Sequence, residues 1–285
     1  MTKHSMEVGL DAATSTLADE CAQDLAAGTR LDDAVEDALS LPFSVIEGAR
    51  APFAAVGDPN GQWEWAVFSN CAPGKTERAT MRALSKKLHA ARELDESSCF
   101  EGRFLTPFDL SKRSGMWPDA SVDGVVAEDG YASATVRYRF VLCSGNDAVG
   151  FCTLTSNLGY YGGGSAPEAE IEVGSVFVEP KCRGIGLSDL LAEAGAYVVV
   201  NMLREFHERL IELGTTELCE LQVCFTGDPI SFGGERFLEA VAANFEQQWY
   251  AFLDNASERV SVEITEISVS ARQWHPGECL PAIRR

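Results

Sequence analysis

The chain has 285 residues, 46% of them apolar, and a formal net charge of −20 at neutral pH. That apolar share is ample for a packed core and excludes wholesale disorder. The acidic balance argues against a protein that grips nucleic-acid backbones through basic patches, and it suits either plain solubility or a cationic substrate such as an amine.

The length allows one large domain or two smaller ones. Nine cysteines (Cys21, Cys71, Cys99, Cys143, Cys152, Cys182, Cys219, Cys224, Cys279) show no C-x-x-C pair and no zinc spacing, so no metal site is expected. An odd number of thiols without an apolar leader at the N-terminus predicts reduced cysteines and a cytoplasmic location. Cys143, Cys152, Cys219 and Cys224 lie in apolar runs and are expected in the core. No apolar run reaches membrane-spanning length.

Residues 7–40 predict two short helices. Leu10, Leu17 and Leu25 sit among Ala, Asp and Glu, and Leu31-Asp32-Asp33-Ala34-Val35 opens the second with acids in its first turn. Residues 45–56 and 63–69 read as strands joined by the turn cluster Gly57-Asp58-Pro59-Asn60-Gly61. Residues 76–96 form a helix, with Met81, Leu84, Leu88 and Ala91 on one face. Just before it, Ser69-Asn70-Cys71-Ala72-Pro73-Gly74-Lys75-Thr76 nearly matches the phosphate loop G-x-x-x-x-G-K-[ST]. Ser69 replaces the first glycine and Pro73 removes an N–H group. A plain helix start with Thr76 as N-cap is therefore the better reading, and a nucleotide hydrolase acting through Lys75 is disfavoured.

Residues 102–123 are irregular, and a domain boundary is placed near residue 120. Residues 131–143 alternate through Val136, Tyr138 and Phe140, with Arg137 and Arg139 opposite, which predicts a half-buried strand. Gly145-Asn146-Asp147 turns the chain into a second strand over 149–155. Tyr160-Tyr161-Gly162-Gly163-Gly164-Ser165 then reads as a flexible connection, either covering an acceptor site or serving as a long hairpin loop. A strand over 169–178 ends at Pro180, and a long helix over 186–213 follows, with Leu187, Leu190, Leu191, Ala194, Tyr197, Val198 and Met202 as its apolar face. His207, among Glu205, Glu208 and Arg209, reads as a surface histidine. A strand over 218–225, a helix over 235–254 and a closing strand over 260–270 complete the chain; the last slips in register between Ile264 and Ile267.

The most informative stretch joins the 169–178 strand to the long helix. Arg183-Gly184-Ile185-Gly186-Leu187-Ser188 puts two glycines and a cation where the chain turns into a helix. The first N–H groups of a helix lack internal partners and carry partial positive charge, so such a turn is suited to a phosphate or pyrophosphate. The spacing Val-x-Pro-x-x-Arg-Gly-x-Gly-x-Ser-x-x-Leu, from Val178 to Leu191, resembles the acyl-CoA-binding motif of the GNAT superfamily of N-acyltransferases. Ser188 stands where that motif usually has Gly or Ala.

The resemblance implies an α/β (α+β) fold: a GNAT-like mixed, mostly antiparallel sheet flanked by helices over 121–285. Residues 1–120 would form an N-terminal α/β extension, readable as a degenerate GNAT-like lobe. It also implies that acetyl-CoA or another acyl-CoA is the cosubstrate, without a metal. Val176, Phe177 and Val178 would meet the pantetheine arm, and Arg183, Gly184, Ile185, Gly186, Leu187 and Ser188 would wrap the pyrophosphate. The acceptor would be a small-molecule or peptide amine, cationic in keeping with the acidic chain, with no membrane and no direct nucleic-acid contact. A homodimer is left open.

Transfer from a thioester to an amine needs a base for the amine proton and an acid for the thiolate. Glu170 and Glu172 lie two apart on the strand and so share one face. The resemblance makes both base candidates, Glu172 preferred; solvent-facing acids on a strand end are the plain alternative. Tyr250 is the one tyrosine in the helix where the family carries its acid, but it lies late in that helix. Cys182, with no adjacent histidine, reads as structural. Two alternatives stand beside the acetyltransferase reading. One is a non-catalytic acidic interaction protein or nucleic-acid mimic on the same scaffold. The other is a succinyl-CoA-dependent amino-acid N-succinyltransferase, from a faint similarity to arginine N-succinyltransferases over Val176 to Phe245.

Overall fold

The computed structural model describes residues 31–47, 51–57, 63–94, 117–126, 131–227, 232–255 and 260–271. The expected helix before residue 31, the turn over 58–61 and most of the irregular stretch 102–123 lie outside the described residues, as do Cys21, Cys99 and Cys279.

A helix over 31–39 (α1) leads to β1 (Ala54–Gly57), β2 (Trp63–Ser69) and α2 (Glu77–Leu94). Then follow β3 (Asp119–Val126), β4 (Tyr131–Ser144), β5 (Asp147–Tyr160) and β6 (Glu168–Val178). A short 3-10 turn (Pro180–Cys182) enters α3 (Leu187–Glu212), and β7 (Cys219–Gly227), α4 (Phe232–Asn255) and β8 (Val262–Ala271) finish the described chain. The strands make one sheet in the order β1-β2-β4-β5-β6-β7-β8, with β3 also on β4. All pairs are antiparallel except β6–β7 and β7–β8. This is the mixed, mostly antiparallel sheet flanked by helices that the sequence predicts. β1 and β2, from before residue 120, extend that same sheet through β4.

Strand alternation sorts the two faces. Even-numbered residues of β4 and β5, such as Tyr138, Phe140, Cys152 and Leu154, pack with α1, α3 and α4 in the main core. On the other face α2 lays Met81, Leu84, Leu88 and Ala91 over Val141, Cys143, Phe151 and Phe177. Beyond α2 that second face is polar: Thr135, Arg137, Thr155, Asn157, Glu170, Glu172 and Thr226 share it by register.

The structure corrects several expectations. β1 is only four residues long. Over 40–47 the main chain is held by side chains instead of a ladder: Ser44 N–H donates to Glu205, Ile46 N–H to the Tyr138 hydroxyl, and Arg209 donates to the carbonyls of Ala38, Leu41 and Pro42. β4 is buried on both faces, because α2 covers one end of the polar side; Arg139 is 0% exposed. His207 is buried, with Ser261 N–H and Oγ on its Nδ1 at 3.2 and 2.7 Å. Tyr197 is 40% exposed and Cys224 half-buried, so neither belongs to the sealed core. β5 runs on to Tyr160, which places the glycine-rich loop one residue later than expected.

Candidate functional site

The site begins with a defect in β6. Ser175 pairs with Thr153 and Val173 with Leu154, so Gly174 is an extra residue, a β-bulge. A Cβ on Gly174 would stand 3.0 Å from Thr153 Oγ1, so a larger residue would press on β5. Pairing between β6 and β7 ends at the same place: it runs from Glu168–Gln222 to Val173–Gly227. Past the bulge β6 continues for Gly174 to Val178 with no β7 partner among the described residues. The sheet therefore opens between two parallel strands.

The main chain at the opening is oriented by its other neighbour. The Phe177 carbonyl points to β5, 2.6 Å from where a Cβ on Gly150 would stand, and Glu179 N–H continues that ladder to the Val149 carbonyl at 2.8 Å. Alternation along an extended strand then turns the Val176 N–H and C=O to the opened side. The Val178 carbonyl accepts from Arg183 Nε at 2.8 Å. Of the three residues expected to meet a pantetheine arm, Val176 thus faces the opening, Val178 is bonded to Arg183, and Phe177 packs its ring beneath α2.

The turn after β6 lies at the same end. Gly184 and Gly186 both have φ +79°, a left-handed conformation that explains why glycine stands at both positions. Gly186 is the N-cap of α3 and caps with no side chain. Asp189 N–H returns to the Gly186 carbonyl at 3.0 Å, whereas among the described residues no hydrogen bond takes up the N–H groups of Gly184, Ile185, Gly186, Leu187 or Ser188. Arg183, Gly184, Ile185 and Gly186 are exposed, and Leu187 seals the helix start at 5% exposure. Asp189, in the first turn, brings a carboxylate oxygen to 3.6 Å from where a Cβ on Gly186 would stand. Cys182 is buried behind the turn, its thiol pushed up by burial and by Glu179, which fits a structural role.

Glu170 and Glu172 are both exposed on the polar face. Glu172 pairs with Thr155 and Thr226, one position before the β6–β7 pairing ends. Glu170 lies one step deeper, 3.5 Å from Thr226 Oγ1. Tyr250 is elsewhere. α4 passes the opening near Leu238, whose methyl is 3.6 Å from a Cβ built on Gly227, and Tyr250 is twelve residues further on, about 18 Å along the axis. It is 54% exposed and is not brought to Glu172.

Two groups at this site were not anticipated. Gly174 could have been flagged, since a lone glycine inside a strand pattern is a bulge signal. Arg139 could not, because burial of a strand arginine depends on where α2 docks. It shares a row with Thr153 and Ser175 across the polar face, donates to Glu77 at 2.7 Å, and lies 5.1 Å from the Trp117 ring. The loop before α2 is a helix start as expected. Thr76 Oγ1 accepts from Ala79 N–H, and the N–H groups of Asn70, Cys71, Ala72 and Lys75 are bonded to Arg139, Ser69, Thr80 and Ala72. Among the described residues, no three His, Cys, Asp or Glu side chains gather as a metal site, and no helix is long and apolar enough to cross a membrane.

No family model matches the sequence, and no curated protein matches it. Among solved structures, an aminoglycoside acetyltransferase from an uncultured soil metagenomic sample, in complex with sisomicin, is similar at 12% identity. The match covers 62% of this chain and 87% of that one, with a TM-score of 0.27.

Proposed function

We propose that the chain is an acyl-CoA-dependent N-acyltransferase that moves an acyl group, acetyl in the first instance, directly from the thioester to a primary amine. The observation that carries this reading is the coincidence of the β6–β7 opening at Gly174 with the unpartnered N–H groups of Gly184 to Ser188 at the same end of the sheet. The turn would hold the pyrophosphate through main-chain donors and Arg183, and Val176 would bond the pantetheine amides in place of the missing strand partner. The thioester would then lie by the bulge, near Ser175, Thr153 and Glu172. Glu172, or Glu170 one step deeper, takes the proton as the amine attacks the carbonyl carbon and the C–S bond breaks. The Tyr250 phenol stands too far along α4 to protonate the departing thiolate.

Calorimetric titration with acetyl-CoA, succinyl-CoA and free CoA tests the reading. Binding is expected, with the acyl preference naming the donor, and Gly186→Val should abolish it by forcing a β-branched residue into a left-handed turn and filling the phosphate's space. Unchanged CoA affinity in a folded Gly186→Val protein would sink the proposal.

A further inference from the structure

We infer that the polar face carries a distal acceptor subsite built by Tyr131 and Tyr161, which receives a flat or apolar group about 13 Å from the reacting nitrogen of an extended cationic amine. The inference rests on the acyltransferase reading. Odd-numbered residues of β5 face this side, and the column runs Thr153, Thr155, Asn157, Gly159 and then Tyr161. Gly159 leaves a gap in that column, and Tyr131 fills it: a Cβ on Gly159 would stand 2.8 Å from the Tyr131 hydroxyl. The hydroxyl accepts from Asn157 Nδ2 at 3.4 Å, and Asn157 Oδ1 in turn accepts from the buried Thr135 hydroxyl at 2.9 Å. That chain fixes the amide orientation and holds the Tyr131 ring in one place.

Tyr161 lies against it with ring centroids 4.7 Å apart and planes 43° to each other, yet Tyr161 is 68% exposed. A tyrosine turned to solvent and seated on a second, hydrogen-bonded ring has a large contact area and few torsions to immobilise, the properties of a binding platform. The route from the opening to this pair is lined with negative charge. Glu172, Glu170 and Glu168 stand in sequence on the same face, all exposed. Arg137, on the row of Glu172, is paired with Asp119 at 3.4 Å. Glu168 is the register partner of Gly159, so four residues of β6, at roughly 3.3 Å each, separate the base from the platform, about 13 Å. An acceptor lying along the face would put its amine at Glu172, its positive charge beside Glu170 and Glu168, and its far end on the rings. An extended peptide reaches this far with its fifth residue.

Binding of matched probes to the full chain tests this without turnover. One pair is Ser-Gly-Gly-Gly-Phe amide against Ser-Gly-Gly-Gly-Ala amide; the other is N-benzylspermidine against N-methylspermidine. Calorimetry should show the ring-bearing member of at least one pair binding about 3- to 10-fold tighter, and the pair that discriminates tells a peptide acceptor from a small amine. Tyr161→Ala, at an exposed position, should bring that ratio to about one, and Tyr161→Phe should retain it. Equal affinities within both pairs, no measurable binding of any probe, or a ratio untouched in Tyr161→Ala would overturn the inference. Acetyl-CoA titration of the same samples keeps the two ideas apart: ring preference without acetyl-CoA binding removes the enzyme reading and leaves the aromatic platform.

Discussion

In the proposed acyl transfer, the two carboxylates that could take the proton differ by a single step along the strand face. Glu172 stands beside the end of β6–β7 pairing, and Glu170 one step further into the paired region. An alkylammonium has a reference pKa near 10.4, so little free amine exists at neutral pH, and a placed base contributes roughly 10²–10⁴-fold. Glu172→Gln keeps shape and hydrogen-bonding reach but loses basicity. It should leave acetyl-CoA affinity intact and lower kcat by about 10²-fold, with part of the loss recovered as pH rises toward 10 and the amine deprotonates unaided. Glu170→Gln should lower kcat by less. Swapped results would move the role to Glu170, and wild-type rates across pH in both would leave the proton to water or main-chain carbonyls. The sequence could place these two acids on one face from strand periodicity alone. It could not say which one meets the opening, because that depends on where β7 stops pairing and on the bulge at Gly174.

Among the elements, α2 is attached by charges as well as by an apolar face. Its apolar face was readable from Met81, Leu84, Leu88 and Ala91, all buried as the 3.6-residue period requires. Its partner was not readable, since Arg139 alternates with Tyr138 and Phe140 like any solvent-facing strand residue. Burial holds the Arg139 guanidinium below its ordinary pKa while Glu77 acts against that shift. Glu77 is half exposed, so the pair is partly screened, yet removing the carboxylate leaves a buried charge without it. Glu77→Ala should therefore destabilise the fold by about 2 kcal/mol, and Arg139→Met by less than that, as read from urea midpoints. A smaller loss in Glu77→Ala than in Arg139→Met would show that the guanidinium is held by its other contacts. The closing strand shows the opposite case, in which irregularity was visible beforehand. The slip between Ile264 and Ile267 is a register shift opposite Leu221 and Gln222, where Thr265 donates its hydroxyl to the Leu221 carbonyl. A break in apolar alternation marks a bulge wherever one face is buried. The stretch over 45–56 misled because the Ile46 N–H is taken by the Tyr138 hydroxyl and pairing with β2 starts only at Phe53 and Ala54, which no local pattern announces.

At the scale of the whole molecule, the reduced thiols tie the core to alkaline pH. Cys143 on β4, Cys152 on β5 and Cys219 on β7 are buried, and burial pushes each thiol from its ordinary 9.0 up to about 12. A thiol is neutral when protonated, so the folded chain holds three protons that the unfolded chain releases as pH passes 9. Stability is then complete below pH 9 and erodes between 9 and 12, because unfolding becomes favoured by ionisation. Each thiol contributes a slope of about 1.4 kcal/mol per pH unit in that window, so the three together should cost about 4 kcal/mol between pH 8 and pH 10. Cys71 and Cys182 are raised from 9.0 as well, chiefly by burial, and add to the loss over the same interval. Tyr138 and Lys87 are also raised, Tyr138 by burial and Lys87 against burial by its bonds to Asp147 and Glu179. Both act in the same direction but from unfolded values of 10.0 and 10.5, above most of this interval. The net charge of −20 grows more negative over the same range, so the measurement belongs in constant, high salt, which screens that repulsion. Guanidinium unfolding in reductant at pH 8, 9 and 10 should show the loss. Cys152→Ala should start from a lower stability and lose about 1.4 kcal/mol less on the way to pH 10. A slope unchanged in that variant would mean that the alkaline loss comes from charge repulsion across the surface, and that the thiols ionise no differently in the folded and unfolded chain.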